Sequence, residues 1–182
     1  MPEPTGQEIL ELLRLVPHAP GDTPSPGATE EQVAAVQARY PMALPPAYLE
    51  WLRLCNGSMS GPGGIYGVGV GKEWIDALVV LDGHPGWAEL GWVPVAGDGN
   101  GNTYVLDASR SHIDRDAVFF VDAMGDGGLT YLAGSSLMVS FRGLLRKEAR
   151  EEDRWPFDAN YVSATDPHIL LVRDAGLLPW FS

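Results

Sequence analysis

The short run DGNGN, which begins at Asp98, holds the side chains best suited to ion binding in this chain. Asp98, Asn100 and Asn102 match the first, third and fifth ligand positions of the calcium loop of an EF-hand. The rest of that loop does not match. Its sixth position is Thr103, where the sharp bend requires glycine, and its twelfth is Ser109, where a bidentate glutamate is required. A calcium site is therefore one interpretation of this run, with half of its ligand set missing.

The flanking residues favour a tight turn instead. Val93 and Val95 precede the run and residues 104–106 (YVL) follow it, so the run lies between two apolar, β-prone stretches. Glycine takes positive φ at little cost, and short Asp and Asn side chains bond to neighbouring backbone groups. We therefore predict a hairpin turn here and no metal site.

Three other runs or residue types resemble motifs for phosphate binding, nucleophilic catalysis or metal binding, but each motif is incomplete. The run GVGVGK, ending at Lys72, lacks the four-residue gap of a phosphate loop, and Glu73 replaces the hydroxyl that would hold magnesium. The run GSMSG has Met59 where a nucleophile elbow requires serine. No pair of histidines has the spacing of metal ligands. The histidines are His18, His84, His112 and His168.

The sequence does not indicate a catalytic role for Cys55 or for the many carboxylates. Cys55 falls on the apolar face of a predicted helix, which favours a buried small hydrophobic residue over a nucleophile. The carboxylates include no identifiable acid–base pair, and solvated surface charge accounts for them. The sequence therefore predicts a protein that is not an enzyme and has no catalytic residue, cofactor or metal.

Three helices are predicted near the N-terminus. TGQE from Thr5 and TEEQ from Thr29 are capping-box patterns, and each precedes apolar residues at helical spacing. Between them, residues 17–28 are rich in Pro and Gly and predict an irregular connector. Residues 45–46, both proline, open a third helix, and Asn56-Gly57 closes it.

The middle of the chain contains short β-prone runs bounded by Gly, Pro and Asp. The predicted strands are residues 78–81, 92–95, 103–106, 118–121 and 129–132. Most are too close together for helical crossovers, so the sheet should be largely antiparallel. Helix returns after Ser135-Ser136, and a last short helix runs from Asp166-Pro167 to Gly176. We predict one α+β domain over residues 1–182, with a central, mostly antiparallel sheet and helices from the N- and C-terminal segments packed around it.

Net charge is the most informative bulk property. The chain has 24 acidic and 12 basic residues, a formal net charge of -12. Phosphate binding needs a basic surface, so nucleic acid is not expected as a direct ligand. Residues 72–126 hold ten acidic and three basic residues, so the middle carries most of the imbalance. Solubility alone would explain this charge, and the alternative is a surface complementary to a basic protein.

The sequence also bears on location. The first residues lack a basic segment followed by an apolar run, and no stretch approaches the length needed to cross a bilayer. A lone cysteine fits a reducing compartment. We therefore expect a cytoplasmic protein that does not contact membrane.

Tryptophans suggest where a partner would bind. The chain has six, more than a core of this size requires. Trp74 and Trp87 lie in the Gly- and acid-rich middle, where an exposed aromatic ring beside carboxylates would make a protein-contact hot spot. The predicted partner-binding residues are Glu73, Trp74, Asp76, Asp82 and Trp87.

Taken in order, these features resemble the SUKH superfamily, specifically its Smi/Knr-type domain. The resemblance covers about residues 28–145. The matching marks are Leu44-Pro45, Tyr48, Asn56-Gly57, the turn at 98–102 and Ser140-Phe141. The chain departs from the family at Gln37, Tyr40 and Pro41, where the family usually has Glu and then Leu-Gly ahead of Leu-Pro.

The resemblance implies an α+β fold and, in bacteria, frequent service as an immunity protein that neutralises a polymorphic toxin, often a nuclease. In fungi, similar domains belong to a cell-wall synthesis regulator that contacts many proteins. Together with the charge, this predicts a non-enzymatic module that binds a basic toxin domain through an acidic surface. The alternatives are a regulatory or scaffold protein of the same fold without a toxin and, less favoured, a metal-dependent enzyme using the Asp98 loop.

Overall fold

The computed structural model describes residues 2–16, 25–61 and 63–181. Three helices come first: α1 (Gly6–Leu15), α2 (Glu30–Gln37) and α3 (Pro46–Leu54). Thr5 and Thr29 each cap a helix and exchange hydrogen bonds with the residue three positions on, so both predicted capping boxes are confirmed. Most of the predicted connector at 17–28 lies outside the described residues, as does His18.

The N-terminal helices form one layer of the core. α1 buries Ile9 and Leu13 as it packs against α3 and against α6 (Leu137–Glu148). The ring of Trp51 on α3 meets the ring of Phe141 on α6, with centroids 5.2 Å apart. Cys55, at the end of α3, is fully buried, as predicted, and burial raises the pKa of its thiol to about 11. A thiol with that pKa is not a nucleophile at neutral pH.

The sheet has four strands: β1 (Trp92–Gly97), β2 (Thr103–Asp107), β3 (Val118–Val121) and β4 (Tyr131–Gly134). They pair antiparallel in chain order, which confirms the predicted sheet and the α+β class. Every strand residue except Phe120 is buried, because chain segments cover both faces of the sheet.

The prediction of a strand at 78–81 is wrong, because this stretch forms helix α4 (Ala77–Asp82). The carboxylate of Asp76 caps the helix by accepting the Leu78 N–H at 3.0 Å. Ala77 and Leu81 are buried at a spacing of four residues, which is one face of a helix. A short helix α5 (Trp87–Leu90) follows and leads into β1.

The C-terminal part also differs from prediction. After α6, which begins behind its cap Ser136 as predicted, the chain forms an unpredicted helix α7 (Ala159–Thr165). The single helix predicted from Asp166 to Gly176 is instead two short 3₁₀ turns, Pro167–Leu171 and Ala175–Leu177. The predicted cap, Asp166, turns its carboxylate away to accept the backbone N–H and the hydroxyl of buried Ser135 at 2.8 and 2.5 Å. This contact ties the C-terminal segment to the end of β4.

The outer edge of β1 is covered. Tyr66 donates its N–H to the carbonyl of Val95 at 2.9 Å, and Gly97 donates to the carbonyl of Gly64 at 3.1 Å. A partner strand could add to β1 only by displacing this segment. Of the helices in the described part of the chain, none is both long and apolar enough to cross a membrane.

Candidate partner-binding surface

The predicted hairpin turn between β1 and β2 is confirmed. The carboxylate of Asp98 accepts the backbone N–H groups of Asn100 and Asn102 at 2.8 and 3.1 Å and the side-chain amide of Asn102 at 2.7 Å. Gly99 and Gly101 take φ of 81° and 95°, the left-handed conformation that favours glycine. Both Asp98 oxygens therefore serve the turn itself, and no cluster of metal-ligating side chains occurs among the described residues.

These hydrogen bonds also set the charge state of Asp98. Partial burial alone would raise the pKa of its carboxyl, but the hydrogen bonds from Asn100 and Asn102 outweigh burial and hold the pKa below its ordinary value of 3.8. The carboxyl is thus ionised at neutral pH, and its negative charge is part of the fold of the turn.

The Asp98→Ala variant should be less stable at neutral pH by about 1 kcal/mol, since water can replace part of what the partly exposed turn loses. The folded-state pKa is lowered, so the contribution is present above pH 3.8 and disappears as the pH falls through the folded-state pKa. Urea unfolding of both proteins at pH 7 and pH 3 measures this. The difference in the free energy of unfolding between the two proteins should be smaller at pH 3 than at pH 7. The control is Asp114→Ala, a change at an exposed aspartate, which should alter stability by less than about 0.5 kcal/mol at either pH.

A second acidic loop lies beside this turn. Residues 122–128, which join β3 to β4, are tied to it because Ala123 donates its N–H to the side-chain oxygen of Asn102 at 2.9 Å. Asp122 and Asp126 each accept a backbone N–H two residues further on, at 2.8 and 2.9 Å. Between them, the side chain of Met124 is 92% exposed. The two loops form one acidic end of the sheet with an apolar side chain at its tip.

A cleft of about 370 Å³ opens on the other side of the turn. It is lined by Met59, Gly61, Gly63, Gly64, Tyr66, Trp74, Ile75, Gly97, Gly99, Gly101 and Asn102. Six of these are glycines, and a Cβ on Gly63 would lie 2.3 Å from the carbonyl carbon of Gly97. The walls are therefore mostly backbone, brought together too closely for side chains. At the rim the Trp74 side chain is 63% exposed. We call Met59, the turn at Glu73–Ile75, the turn at 98–102 and the loop at 122–128 the sheet-end surface.

Asn56 fixes, from within the protein, the segment that pairs with the end of the Trp74 turn. Its buried side-chain amide accepts the N–H of Val68 at 2.7 Å and donates to the carbonyl of Val68 at 3.0 Å. The adjacent Gly67 exchanges backbone hydrogen bonds with Ile75 and Ala77, each at 2.9 Å. These bonds hold the C-terminal end of the 3₁₀ turn Glu73–Ile75, which carries Trp74. Sequence reasoning assigned Asn56-Gly57 to the end of a helix and to the family resemblance, and it did not predict these contacts.

The five predicted contact residues differ in their exposure. Glu73 and Trp74 are exposed and belong to the sheet-end surface. Asp76 is buried as the cap of α4, and Trp87 is buried with its ring stacked on His84 at a centroid distance of 3.9 Å. The side chains of Asp76 and Trp87 are therefore not accessible to a partner, because each packs against or bonds to residues inside the protein.

Asp82 is exposed but already paired. Its carboxylate accepts a hydrogen bond from the Arg39 guanidinium at 2.6 Å. The sheet-end surface also contains four residues that sequence reasoning did not select, which are Met59, Asp122, Met124 and Asp126. The only signal for the last three was the Gly- and Asp-rich composition of residues 122–128.

Among the described residues, the carboxylates of the sheet-end surface form no ion pair with an arginine or lysine. Within the described residues, the arginines that form ion pairs with carboxylates are Arg39, Arg53, Arg110, Arg115, Arg146 and Arg154. None of their partners is Glu73, Asp98, Asp122 or Asp126. The Lys72 ammonium lies at the rim of the cleft, 2.9 Å from the sulfur of Met59. The surface thus keeps most of its negative charge for solvent or for a partner.

One other cluster contains the residue types of a catalytic triad. Buried Asp107 accepts from the Ser109 hydroxyl at 2.5 Å and lies 3.1 Å from Nδ1 of His112. The Ser111 hydroxyl lies 2.9 Å from the same ring nitrogen. A triad needs the carboxylate and the serine on opposite nitrogens of the ring. Here both lie at Nδ1, so the cluster orders the loop after β2.

The fold and the surface together define the class of protein, which is an α+β domain with an antiparallel sheet. One end of the sheet is acidic, and there an exposed tryptophan borders a cleft lined mostly by backbone. The family model described as SMI1 / KNR4 family (SUKH-1) matches residues 27–137, and the chain belongs to this family. The match runs from just before α2 to the first residue of α6 and includes the whole sheet-end surface. This confirms the resemblance found in the sequence. No curated protein matches the chain.

Membership of this family indicates a general type of function. SUKH proteins are known in toxin immunity and are associated with protein–protein interaction with toxins. A binding role requires a surface that recognises another protein.

Proposed function

We propose that the protein is a cytoplasmic immunity protein, which binds and neutralises a basic toxin domain, such as a nuclease, through the sheet-end surface. It acts by occupying the toxin and carries out no reaction of its own. The observation that carries this proposal is Trp74, an exposed tryptophan at the rim of a cleft and beside carboxylates that form no ion pair within the described part of the chain.

Each part of that surface has a role in binding. Aromatic side chains dominate protein interfaces because they bury a large area and lose little conformational freedom. Three exposed apolar side chains belong to the same surface as the acids: Met59 and Trp74 at the cleft and Met124 in the 122–128 loop. The carboxylates steer a positively charged partner and disfavour acidic ones. A nuclease presents positive charge where it holds phosphate, so an acidic surface suits it.

The test is to identify the partner and measure its inhibition. The tagged protein is used to capture partners from its own cells, and a large protein with a toxic C-terminal domain, encoded by the neighbouring reading frame, is tested directly. We expect recovery of a basic toxin domain whose activity falls stoichiometrically when the protein is added. Stable capture of a regulatory complex with no toxin would instead support a scaffold role and contradict this proposal.

Charge at the surface should control the rate of association. The triple variant Glu73→Gln, Asp122→Asn, Asp126→Asn removes three charges but keeps the side-chain oxygens that accept hydrogen bonds in the 122–128 loop. At low salt we expect the association rate constant for the toxin domain to fall about 3- to 10-fold, with a flatter salt dependence. Stopped-flow mixing over a range of NaCl concentrations measures both.

The matched control makes the same change in net charge elsewhere. Glu31→Gln, Glu50→Gln, Glu89→Gln alters three exposed glutamates outside the sheet-end surface. Equal slowing by this control would show that overall charge, rather than this surface, steers the partner.

A further inference from the structure

The cleft beside Trp74 has the chemistry of a site for one side chain rather than a flat contact area. Its volume of about 370 Å³ is at the low end of the range for ligand pockets. Buried Tyr66 and Ile75 contribute apolar lining, and the exposed ring of Trp74 forms part of the rim. Something inserted here would touch an aromatic face on one side and glycine backbone on the other.

Charge around the cleft selects a cation. Glu73 is exposed next to Trp74 and has no ion-pair partner among the described residues. At the far side, the Glu148 side chain lies near Gly61, with its Cγ 3.7 Å from where a Cβ at Gly61 would be. Asp98 and Glu148 line a neighbouring pocket on the other side of the turn together with Lys147, so these three residues add one net negative charge near the cleft. The chain itself already places one cation, Lys72, on the sulfur of Met59 at the rim.

Among cationic side chains, arginine fits this arrangement best. Its guanidinium is planar, stacks on the face of tryptophan, and bonds a carboxylate through two parallel N–H groups. Lysine offers a compact ammonium that gains less from a flat ring and a backbone wall. An uncharged apolar side chain would use Trp74 but leave the surrounding carboxylates without a partner.

We infer that this cleft receives an arginine side chain of the protein partner, stacked on Trp74 and paired with Glu73. The inference rests on the proposed function for the existence of a protein partner, and it adds the chemistry of the anchor. Glu148 and Asp98, partly offset by Lys147, add to the negative potential from the neighbouring pocket, and the glycine-lined walls leave room for the flat group.

The probe is a short peptide, acetyl-Gly-Arg-Gly-amide, titrated into the ¹⁵N-labelled full chain and followed by NMR. Its matched control carries citrulline, which has nearly the shape of arginine and no charge. We expect saturable shifts of the Gly97, Gly99 and Gly101 amides and of the Trp74 indole N–H at millimolar peptide. Citrulline peptide should bind at least about 5-fold more weakly.

Two variants test the assigned contacts. Trp74→Leu keeps an apolar side chain but removes the aromatic face, and Glu73→Gln removes the paired charge. Each should weaken arginine-peptide binding about 2- to 5-fold, as read from the glycine amides. Leu90→Ala, at an exposed position on α5, should leave binding unchanged. Equal binding of the citrulline peptide, no saturable shift at the cleft, or insensitivity to both variants would overturn the inference.

The outcome separates this inference from the proposed function. A toxin that binds through Trp74 while the arginine peptide leaves the cleft unshifted would overturn only the arginine anchor. Cleft binding of the arginine peptide, combined with no toxin partner in the capture experiment, would support the anchor and contradict the immunity function.

Discussion

Replacing Asn56 with aspartate is expected to lower the free energy of unfolding by about 3 kcal/mol, although the two side chains have nearly the same shape. Asn56 is buried and donates through its amide nitrogen to the carbonyl of Val68, while its oxygen accepts the Val68 N–H. Aspartate keeps the acceptor but places a second oxygen against the Val68 carbonyl. The variant therefore loses both hydrogen bonds that the amide nitrogen donates, to the Val68 carbonyl and to the Gln32 side-chain oxygen at 3.3 Å, and it buries a charge with no cation among its bonding partners.

Thermal unfolding followed by circular dichroism measures this effect. A loss of about 3 kcal/mol corresponds to a melting temperature lower by about 6–12 °C for a chain of this size. Asn160→Asp makes the same chemical change at an exposed position of α7 and should shift stability by less than about 0.5 kcal/mol. Equal melting temperatures for Asn56→Asp and the native protein would show that the Asn56 contacts do not hold this part of the fold.

Replacing Trp74 with alanine is expected to weaken partner binding by at least about 30-fold, a loss of about 2 kcal/mol or more. The indole is the largest exposed apolar group of the sheet-end surface, and it stands beside a cleft whose backbone walls cannot adjust to fill its place. Because the side chain is 63% exposed, its removal should change the free energy of unfolding by less than about 0.5 kcal/mol.

Isothermal titration calorimetry with the captured toxin domain measures the affinity, and a melt of each variant confirms folding. Leu171→Ala is the matched control, because Leu171 is 60% exposed but belongs to a C-terminal 3₁₀ turn. The sheet-end surface would be the wrong interface if Trp74→Ala bound as tightly as the native protein. It would also be wrong if Leu171→Ala caused the greater loss.

Local sequence rules located most helix starts, the sheet and the turn. The capping boxes at Thr5 and Thr29 and the cap at Ser136 involve groups at most four residues apart, so the pattern itself contains the interaction. The strand at Val118–Val121 matches its prediction at both ends, and the DGNGN turn bonds to itself through Asp98. The family could also be identified from the sequence, because the resemblance depends on the order of such local motifs along the chain.

Long-range contacts decided the rest. Residues 78–81 have the composition of a strand, yet they form a helix that begins where Ala77 donates its N–H to the carbonyl of Gly67 and that packs against β1. Asp166 resembles a helix cap, yet it turns to Ser135, which is 31 residues away. Trp87 and Trp74 have similar neighbours in sequence, but His84 and Trp92 cover the ring of Trp87 while the ring of Trp74 remains exposed.

By itself, then, the sequence determined the α+β class, the family, the acidic character and the self-contained turn at Asp98. Only the tertiary structure decided which of the acidic and aromatic residues are available to a partner. The physical reason is that exposure and hydrogen-bond partners are set by segments distant in the chain. Asn56 bonds Val68, whose neighbour Gly67 bonds Ile75 after Trp74, and Asn102 bonds Ala123 and so joins two acidic loops. Composition limits how much charge and aromatic surface a protein has, and packing determines where they lie.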